Sequence, residues 1–192
     1  ESKETRSDAQ LAREVEVALP CEFTRQEQID TVREYIMKNF VREGMCADWV
    51  LHDKGDGNPH AHIMLTTRAF TRNGKWADKQ KSIYKLDKNG QKIPAIDPTT
   101  GQQKIGARGR KMWQRETVQA NDWNDRSKAE EWRAAWAAEC NRRLDRQHQI
   151  DHRSYARQAV EQEPTIHEGY AARKMEREGR VSDRCEINRE TK

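Results

Sequence analysis

The amino-acid sequence predicts an α+β fold, an antiparallel β-sheet with helices packed on it, extended by a basic β-hairpin excursion. Three observations carry the prediction. Apolar and outward residues alternate over residues 14–19, the mark of a half-buried strand. A stretch with helical spacing follows, placing Ile29, Val32, Ile36 and Phe40 on one face. Two short apolar runs, Trp49-Val50-Leu51 and Ile63-Met64-Leu65, then flank a glycine-rich turn and read as adjacent antiparallel strands. Strand, helix, strand, strand, with the helix laid on one face, is an antiparallel sandwich of sheet and helix.

Taken in order, residues 1–13 read as the end of a helix. Val15, Val17 and Leu19 point one way and Glu14, Glu16 and Ala18 the other, until Pro20 stops the strand. Thr24, with Glu27 three positions on, is a capping box for a helix running to about Val41, with Tyr35 as a packing residue and Gly44 at its end. Strands follow at residues 46–51 and from His60 to about Phe70. The loop between them, Lys54-Gly55-Asp56-Gly57-Asn58-Pro59, is turn chemistry.

Residues 71–112 change character. Short runs at residues 82–86, 92–96 and 103–105 pair as an excursion, punctuated by the turn signals Lys88-Asn89-Gly90 and Asp97-Pro98-Thr99-Thr100-Gly101. The segment is basic from Lys79 and Lys81 to Arg108, Arg110 and Lys111. A solvated loop and a DNA-contacting arm both fit that composition. Asp125-Arg126-Ser127 leads a long helix with Trp132, Trp136, Cys140 and Leu144 on one stripe, spaced for packing against a sheet. Residues 151–162 are short and mixed. The chain thus reads as a domain over residues 1–165, carrying the excursion at about 79–111. A charged helical tail over residues 166–192, broken at Gly179, leads to a linker, and its last dozen residues, Ser182-Asp183-Arg184 among them, read as the start of that linker.

A length of 192 residues suits one domain with a real core, but 35% charged against 34% hydrophobic residues confines that core to a few faces. A net charge of +4 permits nucleic-acid binding only if the basic residues cluster. No apolar run approaches the roughly 18 residues of a membrane span, so no membrane insertion is expected. The N-terminal residues are no signal peptide. Cys21, Cys46, Cys140 and Cys185 lack paired spacing and read as reduced thiols of a cytoplasmic protein.

The histidines carry the chemistry. Three of the six fall in one stretch: His52 at the end of one strand, His60 and His62 at the start of the next. Alternation puts His60 and His62 on one side, and the turn returns His52 beside them. Three neutral imidazoles on one face can hold a divalent metal and leave coordination positions open, as a catalytic metal requires. A closed structural site would need a fourth ligand, and no cysteine lies near the hairpin in sequence.

The stretch His-Asp-Lys-Gly-Asp-Gly-Asn-Pro-His-Ala-His-Ile-Met-Leu-Thr-Thr-Arg, residues 52–68, resembles the three-histidine motif of the MobA/MobL relaxases, nicking enzymes of plasmid mobilisation and conjugation within the HUH endonucleases. Residues 10–20, 151–155 and 164–169 resemble the same family, so the likeness runs from about Arg6 to Gly169. It implies an HUH relaxase-like fold. It also implies transesterification of one phosphodiester at an origin of transfer to a tyrosine, giving a 5′-phosphotyrosyl link and a free 3′-hydroxyl. By that resemblance His52, His60 and His62 are ligands of a divalent metal, manganese or magnesium first, with zinc, cobalt and nickel as other candidates. Glu14 matches an acidic residue that orients a histidine or assists the tyrosine's proton, although an outward strand position explains it equally. Arg6 and Arg68 match basic positions suited to the scissile phosphate. Tyr155, in Arg153-Ser154-Tyr155, matches a downstream position that is structural or DNA-facing, with Arg153 and Tyr155 as the DNA-contacting candidates there.

The implied partners are single-stranded origin DNA, other relaxosome components and secretion-system coupling proteins, in the cytoplasm of a bacterium. The family's nucleophilic tyrosine lies upstream of the position of Glu14. Tyr35, Tyr84, Tyr155 and Tyr170 all follow it, so the nucleophile is expected outside these residues. Two other functions share the motif: a rolling-circle replication initiator, and a non-catalytic DNA-binding module stabilised by metal.

Overall fold

The computed structural model describes Glu4, residues 6–55 and residues 57–191, and it divides into two compact units, Glu1–Ile150 and Asp151–Lys192. Asp56 of the predicted turn and most of residues 1–5 lie outside the described residues.

The first unit is built on a three-stranded antiparallel sheet in the order β1-β3-β2, comprising β1 (Ala12–Ala18), β2 (Ala47–His52) and β3 (His60–Thr66). Alternation divides its faces. Val15, Val17, Ala61, Ile63, Leu65, Trp49 and Leu51 face the core, while Glu14, Glu16, Val50, His52, His60, His62 and Met64 take the other side. Helix α1 (Arg25–Ile36) starts at the expected capping box, with the Thr24 hydroxyl and the Glu27 carboxylate each satisfying the other's backbone N–H. It does not run as α-helix to Val41; Met37–Val41 is a π-turn. That wider turn ends with Phe40 fully buried, edge-on to Tyr35 at 5.2 Å and to Trp132 at 5.3 Å.

Helix α2 (Arg126–Asn141) lies beside α1 with the tryptophan stripe inward. Tyr35 donates its hydroxyl to the Trp132 carbonyl at 3.0 Å, and burial pushes its pKa up. Trp136 donates its ring N–H to the Ala18 carbonyl at 3.1 Å, fastening α2 to β1. Arg13, on the inner side of β1, donates to the Trp123 carbonyl at 2.7 Å and caps the approach to α2. On the far side of the helix pair, Glu34 and the buried Glu139 share Lys38, Arg142 and Arg143. Those hydrogen bonds, Lys38's first, hold the Glu34 carboxyl at about 2.

Several predicted boundaries shift. Residues 6–11 form a turn and irregular backbone rather than a helix end, and β1 already begins at Ala12 because Thr66 of β3 pairs with it. Strand β3 stops at Thr66; Phe70 instead bridges Trp76 across a small hairpin, ring against ring at 5.0 Å. The four cysteines are unpaired, as their spacing suggested.

The excursion stands on a stalk of β4 (Gln80–Tyr84) paired with β5 (Arg115–Gln119). The sequence pattern predicts pairing only among the nearer runs, and the structure adds β5. Above the stalk the backbone closes two rings of three hydrogen bonds. Lys85 N–H donates to Gln114, Gln114 to Ile93, and Ile93 to Lys85; then Ala95 donates to Met112, Met112 to Lys104, and Lys104 to Ala95. Each ring is a junction from which short hairpins branch. Two of them repeat one pattern: Leu86-Asp87-Lys88-Asn89-Gly90-Gln91-Lys92-Ile93 and Ile96-Asp97-Pro98-Thr99-Thr100-Gly101-Gln102-Gln103-Lys104-Ile105. In both, the aspartate folds back on its own turn, Asp87 accepting from Asn89 and Gln91 and Asp97 from Thr99, each at 2.8 Å.

The second unit holds α3 (Tyr155–Gln158), α4 (Gly169–Arg177) and α5 (Asp183–Thr191). Residues 183–191 were expected to begin a linker, but they form a helix that packs. The buried Asn188 amide brackets Ile166, accepting from its N–H and donating to its carbonyl at 2.8 Å each. Gly179, at φ +73°, turns α4 toward α5 as the break predicted there.

Candidate metal centre

The outer face of the sheet is where the histidines meet. Register pairs His52 with His60 across β2 and β3, and His62 lies two residues along on the same face. One ring nitrogen from each of the three lies within 4.8 Å of the others. A metal bonded at about 2.1 Å holds its nitrogens no more than about 4.2 Å apart, so small ring rotations complete the set.

Two rings are already oriented. His60 Nδ1 lies 2.8 Å from the Asn58 carbonyl, which can only accept, so Nδ1 carries the proton. His62 Nδ1 lies 2.7 Å from Glu14 Oε1, across from β1. With both Nδ1 atoms engaged as donors, both Nε2 lone pairs are free for a ligand, the arrangement that orients metal-binding imidazoles. Glu14 reaches His62 because odd and even residues of β1 take opposite faces, so Arg13 turns to the core and Glu14 to the histidines. The loop after His52 is also tied down. Asp53 accepts from the Gly55 N–H at 3.0 Å and from the amide of the buried Gln28 at 3.3 Å. Gly55 and Gly57, at φ +70° and +77°, supply the left-handed turn.

The other named residues have partners of their own. Arg6 forks onto Asp8. Arg68 lies beyond the end of β3, which stops four residues, about 13 Å, past His62. It donates to Glu4 at 2.6 Å and to the Ala77 carbonyl at 3.0 Å. Lys79 joins it on Glu4 at 3.0 Å, and these two hold the Glu4 carboxyl at about 2. Lys81 is in β4; Arg108, Arg110 and Lys111 are at the exposed tip of the arm. Arg153 pairs with Asp151, and Tyr155 opens α3 in the second unit. Sequence reasoning missed the Asn58 carbonyl and the Gln28–Asp53 tie. A backbone acceptor leaves no residue signal, although a polar residue among the buried positions of α1 was visible.

Glu14 is exposed, so its replacement should spare the fold while releasing His62. Glu14→Ala is expected to lower manganese affinity about 10- to 100-fold, read by calorimetric titration, with an unchanged unfolding midpoint.

An antiparallel sheet with helices on one face and a three-histidine hairpin on the other is the architecture of an HUH relaxase. The chain belongs to the MobA/MobL family, whose model matches residues 1–178. It is 46% identical over 193 residues to a probable mobilization protein MobA of Bifidobacterium longum, covering 99% of this chain and 34% of that protein. It is 34% identical to a conjugal transfer protein TraA of Agrobacterium fabrum, covering 99% of this chain and 16% of that one. A solved structure concerning the molecular basis of vancomycin resistance transfer in Staphylococcus aureus superposes with a TM-score of 0.56 at 25% identity, over 80% of this chain and 63% of the other. The chain therefore spans about a third or less of these two curated relatives. Among the described residues no helix is long and apolar enough to cross a membrane.

Proposed function

We propose that these residues form the metal-binding part of a DNA relaxase that nicks one strand at a plasmid origin of transfer, for conjugation or mobilisation. The observation that carries the reading is the convergence of His52, His60 and His62 with Nδ1 of two of them held by protein oxygens. The three imidazoles would hold a divalent ion, manganese or magnesium first. Such an ion, when bound, polarises a phosphodiester and stabilises charge on its oxygens. Glu14 keeps His62 in one tautomer and orientation. Because its Oε1 already accepts from His62, this supports orientation over proton transfer as its role.

In the reaction proposed, a tyrosine hydroxyl attacks phosphorus, the tyrosyl O–P bond forms, the P–O3′ bond breaks, and the 3′-oxygen leaves as a hydroxyl. Tyr35 is unsuited to be that nucleophile, being buried with its hydroxyl committed to a carbonyl. Tyr84 stands on the arm between two cations. By the resemblance the nucleophile is a tyrosine upstream of the position of Glu14, and all four tyrosines of these 192 residues follow it. The arm supplies DNA contacts through Lys79, Lys81, Arg108, Arg110 and Lys111, and the distal segment through Arg153 and Tyr155. Residues 79–115 hold ten basic and two acidic residues, whereas the rest of the chain holds 26 and 30. The positive charge is thus concentrated on the arm, which favours this over a solvated loop. Arg6 and Arg68 are phosphate-binding residues in this scheme only after release from Asp8 and Glu4.

Domain limits of 1–165 for the relaxase and 166–192 for a tail are part of the same proposal. Origin DNA, relaxosome components and coupling proteins of a secretion system would be the partners, in the cytoplasm. The test is capture of a covalent adduct. The longer protein, incubated with a single-stranded origin oligonucleotide and manganese, should give a denaturant-resistant protein–DNA band that disappears with chelator. An adduct formed equally well with chelator present would contradict the metal-assisted reaction.

A further inference from the structure

Resting on the reading that the arm meets DNA, we propose that one face of the arm is a platform for unstacked bases of a single strand, flanked by cations for its phosphates. The face follows from pairing. Tyr84 is opposite Arg115, Leu86 opposite Lys92, Pro94 opposite Trp113, Ile96 opposite Gln103, and Ile105 opposite Lys111. Directly paired residues in antiparallel strands point to the same side, and so do residues two apart along a strand. Residues 84 and 86, then 92, 94 and 96, then 103 and 105, then 111, 113 and 115 link all five pairs into one surface. The cations confirm the geometry: Lys92 Nζ lies 4.1 Å and Arg115 Cζ 4.6 Å from the centre of the Tyr84 ring.

That surface is apolar and basic together. Leu86, Ile96 and Ile105 are 57%, 50% and 59% exposed; Leu86 lies opposite Lys92, Ile105 opposite Lys111 and Ile96 opposite Gln103. No carboxylate shares it, because Asp87 and Asp97, the acidic residues of the arm above its stalk, accept from their own turns' backbone amides. The two hydrogen-bond rings fix the branches without help from a packed core. A duplex offers an arm phosphates and groove edges, and its flat base faces are stacked away. A single strand offers phosphates and base faces at once, which is what alternating apolar and cationic side chains accommodate. A protein partner of acidic, apolar character is the competing occupant. The arm's charge, in a chain otherwise net acidic, favours the single strand.

The test separates the face from the charge. A variant carrying Leu86→Thr, Ile96→Thr and Ile105→Thr keeps every cation and strand-compatible side chains. Anisotropy with a labelled thymidine oligonucleotide should show affinity lower by about tenfold or more, since base contacts are lost. The slope of log K against log salt, and the affinity for a duplex of equal length, should not move. If affinity for the oligonucleotide is unchanged, or falls equally for the duplex, the base platform is wrong. Should the triple variant unfold by circular dichroism, Ile105→Thr alone carries the same comparison. A second variant with Lys92→Gln, Lys111→Gln and Arg115→Gln should flatten the salt slope. An unchanged slope there would overturn the underlying reading that the arm meets DNA, a failure distinct from that of the platform.

Discussion

Replacing His62 with alanine is expected to abolish nicking while leaving DNA binding nearly intact. Three imidazoles converge on one point, and the ring of His62 is the one steered by a carboxylate. In the proposed reaction a metal held there would act at a single phosphate, whereas recognition would be spread over many phosphate and base contacts. In a protein extended to include the proposed nucleophilic tyrosine, nicking of an origin oligonucleotide should fall by orders of magnitude. The binding constant should change by less than about tenfold, or about 1.4 kcal/mol. Loss of affinity or of folding, with residual nicking in proportion to DNA bound, would make the metal structural. The tyrosine has to be present in both proteins compared, since in the proposed reaction neither would nick without it.

The second large effect is on stability. Phe40 is fully buried at the end of the π-turn, where it touches Tyr35 of α1 and Trp132 of α2 edge-on. Phe40→Ala should cost about 3–5 kcal/mol, because the cavity left between two helices and a sheet cannot collapse freely. That is a large share of the roughly 5–15 kcal/mol that hold a domain together. Urea denaturation should show a lower midpoint at unchanged slope. A loss below about 1 kcal/mol would mean that the two helices repack around the gap.

The histidine hairpin was legible in the sequence because its information is local. Alternation assigns the faces, and Gly55, Gly57 and Pro59 give the turn, so His52, His60 and His62 meet without reference to anything distant. The capping box at Thr24 and Glu27 and the stripe from Trp132 to Cys140 were legible for the same reason. What failed were features set by remote partners. β5 exists because Arg115–Gln119 finds Gln80–Tyr84 across the whole arm. Ala12 is strand because Thr66 pairs with it. Residues 183–191 are a packed helix because Asn188 has Ile166 to hold. Glu14 could be matched to the site by resemblance, but the register sets Glu16 opposite His62, and only the hydrogen bond in the folded chain shows that Glu14 meets that ring diagonally. Arg68, placed by the same resemblance, meets Glu4 instead.

Manganese soaked into crystals of the protein tests the metal centre most directly, through the anomalous signal at the manganese edge. One peak is expected on the outer face of the sheet, about 2 Å from a ring nitrogen of each of His52, His60 and His62, through Nε2 for His60 and His62. Glu14 should remain on Nδ1 of His62. Absence of a peak at saturating manganese, or a peak that leaves any of the three histidines out, would contradict the assignment.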